Sequence, residues 1–125
     1  MSGPRDDSLL LDDVVDAAER LISLGSRVPR GWLGQDRDVN EMILWNVVVL
    51  GEATKRMREQ TRLRFSDVPW ELLARTRDRI VHHYEGVDWH IMTLIACDEI
   101  PGLLPRLIEI RDTVRTEFDA QEPAR

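Results

Sequence analysis

Apolar positions recur along the chain at helical spacing. Leu10, Val14, Ala17, Leu21 and Leu24 fall three or four residues apart, the signature of one buried stripe on a helix over about residues 9–24. Asp6, Asp7 and Ser8 offer N-caps before it, and Gly25 is a natural stop. Residues 25–36 carry Gly25, Pro29, Gly31 and Gly34 and read as a loop, with Trp32-Leu33 expected to tuck against the core. A second helix is expected over about 38–60, capped by Asp36 or Asp38. Its centre, Met42 to Leu50, is apolar almost all the way round. A helix of that kind is central in its domain or shared with a partner chain. In so small a chain a partner interface is expected.

Residues 61–68 read as a short basic connection to a third helix. Pro69 suits the first helical position there, and the helix should run to about Tyr84 on a stripe of Trp70, Leu73 and Ile80. Extended, that stripe passes through Arg77 and Tyr84. An arginine on an inward face is costly unless a carboxylate compensates it. Glu52, late in the second helix, either faces water or supplies that carboxylate, while Asn46 either satisfies a backbone group or supports the same site. Asp88 can cap a helix over roughly 89–100, after which Pro101-Gly102 should interrupt. A last helix tolerates Pro105 in its first turn and packs through Leu103, Leu107, Ile110 and Val114. No strand pattern and no repeat competes. The fold class is all-α, an up-and-down bundle of four to five helices, with residues 1–120 as one domain and residues 121–125 as a frayed tail.

Composition narrows the function. The chain has 125 residues and one cysteine, Cys97, so neither a disulfide framework nor a cysteine metal cluster is available within it. Met1 to Asp7 lacks the apolar core of a signal peptide and no apolar run reaches membrane-spanning length, which suits a cytoplasmic protein without membrane contact. A net charge of −6 argues against a general nucleic-acid coat. Cations nevertheless gather locally: Lys55, Arg56, Arg58, Arg62 and Arg64 around one helix end, and Arg75, Arg77 and Arg79 on the next helix. The cluster reads either as a solvated face or as a phosphate-binding surface. His82, His83 and His90 could be considered as metal ligands, but adjacent histidines point to different sides of a helix and no carboxylate–histidine pattern completes a set, so neither metal nor other cofactor is expected.

The stretch from Arg77 to Tyr84 carries the strongest chemical signal. Arg77, His82 and Tyr84 make an Arg-x4-His-x-Tyr motif, which resembles that of HEPN-domain ribonucleases. It is specifically similar to HepT toxins paired with minimal nucleotidyltransferase (MNT) antitoxins. Gly51-Glu52-Ala53, Val68-Pro69-Trp70, Val87-Asp88 and Ile100-Pro101 agree with that family's layout, so the likeness covers about residues 38–108. One departure is Asp78, where the family commonly has asparagine.

The resemblance implies a HEPN-like bundle and the toxin of a type VII HEPN/MNT pair. It implies a metal-independent endoribonuclease acting on tRNA or mRNA, with tRNA favoured. Arg77 and His82 would be catalytic, Asp78, Glu52 and Asn46 supporting, and Arg79, Arg75, Lys55, Arg56 and Arg58 would contact RNA. Tyr84 would receive AMP from the cognate antitoxin. Residues five apart on a helix differ in direction by about 140°, so a second chain or arginine's reach must complete the site. The resemblance implies a second chain, in a homodimer with a composite cleft. Two other classes stay open: a catalytically silent HEPN-like module that binds the nucleotidyltransferase, and a plain helical dimerisation domain.

Overall fold

In the computed structural model, which describes residues 5–29 and 34–121, helices follow one another as the stripes require. They are α1 (Arg5–Ser26), α2 (Arg37–Arg56), α3 (Glu59–Arg64), α4 (Trp70–His82), α5 (Trp89–Leu94) and α6 (Ile100–Gln121). No strand occurs among the described residues, so the protein is an all-α bundle. The long helices α1, α2, α4 and α6 build it, with α1 packed on α2 and α6, and α2 on α4. Among the described residues no helix is long and apolar enough to cross a membrane. The expectations for the Asp6 side chain, for Trp32-Leu33 and for residues 122–125 lie outside what is described.

Each stripe finds the core. Leu10, Val14, Ala17, Leu21 and Leu24 of α1 are buried, as are Ile43, Val47 and Leu50 of α2, Trp70, Leu73 and Ile80 of α4, and Leu107, Ile110 and Val114 of α6. They form one continuous cluster. The centre of α2 is less enclosed than its composition suggests. Met42 is 45% exposed and Trp45 67%.

Element boundaries differ from expectation at four places, each for a local reason. First, α1 runs one residue past Gly25. Asp7 lies inside that helix, not at its cap. Its carboxylate is fully buried and crosses to α3, accepting the Arg58 backbone N–H at 3.2 Å, Arg58 Nε at 3.1 Å and the Thr61 hydroxyl. An anion there satisfies a helix N-terminus that no local side chain caps. Second, the expected single helix over 38–60 breaks at Met57, which turns extended (φ −67°, ψ 147°), and the basic connection contains α3.

Third, Pro69 is the N-cap residue of α4 and Trp70 its first member, while the helix ends at His82. His83 leaves helical geometry (φ −137°, ψ 49°), its N–H closing the last turn on Arg79 O at 2.8 Å. Tyr84 therefore opens a separate 3₁₀ turn, Tyr84–Gly86. Fourth, Pro101-Gly102 does not interrupt: both lie in the first turn of α6, where proline's missing N–H is tolerated, just after a π-helical turn at Ile95–Glu99. Asp88 caps α5 as expected, accepting from His90 N and Ile91 N.

Two surface ion pairs tie α6 to the α3–α4 region, Arg64–Glu117 at 2.6 Å and Arg106–Asp67 at 2.7 Å. Both guanidiniums also stack on the Phe65 ring. The Arg106 hydrogen bond holds the Asp67 carboxyl below its usual range, and Arg64 does the same for Glu117. A carboxyl depressed by folding adds stability that is full above its unfolded pKa, about 4, and is lost as pH falls through the folded value. Thermal melts should therefore fall most steeply below pH about 4. An Arg64→Met, Arg106→Met variant should show a shallower fall. An identical acid profile for the variant would remove these pairs from the explanation.

Candidate functional site

Helix α4 approaches α2 most closely at Gly51. A Cβ there would stand 2.2 Å from Arg77 Cβ and 2.9 Å from the Leu73 carbonyl oxygen. Neither contact can be relieved by rotating a side chain, because Cβ atoms and carbonyls move only with the backbone. Glycine at 51 is thus what lets the Arg77 stem lie against α2. Gly51→Ala should destabilise the protein by about 1–2 kcal/mol, the cost of overpacking less alanine's better helix propensity. A urea midpoint equal to or above wild type would refute the close contact.

So seated, Arg77 is only 22% exposed at its side chain and is gripped by carboxylates from both helices. Its Nη2 meets Glu52 Oε1 at 3.1 Å and its Nη1 meets Asp78 Oδ1 at 2.9 Å. Lys55 Nζ reaches the same Asp78 oxygen at 2.8 Å. The Lys55 hydrogen bond, followed by that of Arg77, holds the Asp78 carboxyl below the ordinary aspartate range. Arg77 Nε is buried without a hydrogen-bond partner among the described residues. The inward arginine was legible from helical phase, and its Glu52 pairing, one of two readings that the sequence left open, is present. Asn46 plays no part in this cluster: its amide donates to Met42 O of its own helix at 2.8 Å.

His82, the last residue of α4, is exposed and sits about 7.5 Å further along the axis than Arg77 by helix rise. His83 is exposed as well and faces, with Arg79, a groove of about 720 Å³ floored by Ile80, Ile91 and Met92. The placement of Tyr84 on the inward stripe is corrected by the early end of α4. The residue is 61% exposed. It borders a surface hollow of about 240 Å³ with Arg37, Asn40, Leu44 and Trp89. Asn40 pins the loop beside this hollow, donating to Gly34 O and accepting from Gly34 N, where φ is +96°.

Half of the basic cluster, Arg77 included, is spent on internal pairs. Lys55 holds Asp78, Arg58 holds Asp7, and Arg64 holds Glu117. Arg56, Arg75 and Arg79 have no ion pair among the described residues and are exposed. Three residues that shape the site carried weaker sequence signals. Gly51 is unusual as a glycine deep in an apolar helix, whereas Lys55 looked like one cation of many and Trp89 gave no local cue. No group of three or more His, Cys, Asp or Glu among the described residues could hold a metal ion.

Against known proteins, residues 14–110 match the family model described as ribonuclease HepT-like. The Methanocaldococcus jannaschii protein named "Putative RNase MJ0127" is 25% identical over 113 residues, 90% of this chain and 93% of its own. The Caldanaerobacter subterraneus protein named "Putative RNase TTE0752" is 28% identical over 80% of this chain and 89% of its own. The Thermococcus cleftensis protein named "Probable ribonuclease HepT" is 24% identical over 81% and 92%. No solved structure matches.

Proposed function

The chain belongs to the HepT-like ribonuclease family, and on that footing we propose that it is a metal-independent endoribonuclease, the toxin of a HEPN/MNT toxin–antitoxin pair. The observation that carries the reading is Arg77, an inward-facing guanidinium held from two helices, with the exposed His82 one turn beyond it. RNA can be cut without a metal when its 2′-oxygen attacks the adjacent phosphorus and the 5′-oxygen leaves. One proton must leave the 2′-hydroxyl and one must reach the 5′-oxygen. Imidazole exchanges protons near neutrality and suits both transfers. Arg77 would face the non-bridging oxygens of the crowded phosphorane, where negative charge builds up.

A single chain offers one His82 for two proton transfers. A two-fold dimer would bring a second His82 and a second Arg77 to the same cleft. Apolar side chains left in solvent on α2 and α4, Trp45 and Val81, are in keeping with a chain that has a partner. Arg79, Arg75 and Arg56 would contact the phosphate backbone, and tRNA is the favoured substrate over mRNA. The partner antitoxin would be an MNT-type nucleotidyltransferase that transfers AMP to Tyr84, adding bulk and negative charge near the RNA path.

The deciding experiment is digestion of total tRNA by the purified protein in EDTA, beside Arg77→Ala and His82→Ala. The reading requires cleavage by the wild type and by neither variant. A second reading, a silent module that binds the nucleotidyltransferase, is favoured by one observation: both Nη atoms of Arg77 are already engaged by carboxylates. A folded wild type that leaves tRNA and mRNA intact would select it.

A further inference from the structure

Two cations meet on one oxygen. Lys55 Nζ and Arg77 Nη1 both bond Asp78 Oδ1, at 2.8 and 2.9 Å, while Arg77 Nη2 is engaged by Glu52 at 3.1 Å. Arg77, Glu52 and Asp78 alone sum to one negative charge. Lys55 brings the cluster to zero. All but Arg77 are about half exposed at the side chain, so a ligand can reach them without unfolding anything.

We infer that Lys55 is a positioning residue for Arg77: it shares Asp78 and offsets its charge, so that this carboxylate can give up the guanidinium edge when an RNA phosphate takes it. The inference rests on the nuclease reading above and assigns Lys55 a different task from direct RNA contact. When a phosphodiester takes the Arg77 Nη1 edge, Asp78 must release it. A carboxylate that lost its only cation would resist that exchange, whereas Asp78 keeps a charge-assisted bond to Lys55 throughout.

This role predicts a pattern that direct phosphate binding does not. Lys55→Met keeps most of the stem and removes the charge. It should lower RNA affinity and kcat/KM about tenfold, the effect of one unit charge a few ångströms away at a partly hydrated surface. Adding Asp78→Asn removes the carboxylate charge but keeps an oxygen that can accept from Arg77. Asp78→Asn alone should bind RNA more tightly than wild type, and the double variant should match Asp78→Asn within about threefold, because Lys55 has nothing left to act on.

Cleavage of tRNA is measured by single turnover at fixed salt. Binding is measured by fluorescence anisotropy with each change placed on a His82→Ala background. A double variant as weak as Lys55→Met would make Lys55 a phosphate ligand and overturn the inference. So would an unaffected Lys55→Met. If the wild type binds RNA but does not cut it, the binding series still decides the role of Lys55 and only the nuclease reading falls. If it binds no RNA, both fall.

Discussion

Arg77→Ala is expected to lower single-turnover RNA cleavage by about a thousandfold, in the range found when a preorganised donor to a developing oxyanion is removed. The fold should survive. Glu52 and Asp78 are 46% and 40% exposed at their side chains, so water can replace the guanidinium, and Asp78 keeps Lys55. The variant also removes a buried Nε that has no partner among the described residues, a group whose burial costs stability in the wild type. Arg77→Lys should fall between the two, by about 10- to 100-fold, because a point charge replaces a planar fork. Circular dichroism should report an unchanged helical spectrum for both. Arg77→Ala that cuts within about threefold of wild type would remove Arg77 from the chemistry.

The second large effect is on stability and lies far from that cluster. Asp7→Ala should cost about 3 kcal/mol, near the lower end for breaking a buried ion pair. The lower end applies because Arg58 is 33% exposed and can turn to solvent, while the Arg58 backbone N–H and the Thr61 hydroxyl are left without their acceptor. For a chain of this length that corresponds to about 10 °C in Tm. Asp7→Asn, which can still accept from the backbone, should lose about half as much. A melting temperature within about 2 °C of wild type for Asp7→Ala would show that α3 is anchored by something else.

These two residues also mark how far the sequence could be read. Arg77 was legible because an α-helix has a fixed period: Leu73 and Ile80 define the inward face, and Arg77 falls between them. Charge complementarity then made Glu52 a candidate partner. Asp7 was not legible, since its donors lie 51 and 54 residues away in the chain and nothing near Asp7 announces them. The break at Met57 was hidden for the same reason. It puts Arg58 N where a distant carboxylate can meet it. Tyr84 was misplaced because periodicity carries a stripe onward but does not say where the helix stops. Grouping Lys55 with its basic neighbours by sign alone hid its bond to Asp78, a residue on another helix.

The early end of α4 has a consequence for timing. Tyr84 is the only tyrosine in the chain, and it stands beyond α4 on a short 3₁₀ turn, 61% exposed as a residue. A buried side chain reacts only as often as the fold opens, so its rate carries the free energy of opening. The Tyr84 hydroxyl carries no such factor. Its reaction with a reagent or enzyme should need no opening of the fold, and so should be insensitive to mutations such as Asp7→Ala that loosen the bundle. A tyrosine-directed label should therefore mark Tyr84 equally fast in the wild type and in Asp7→Ala, however stable the protein is.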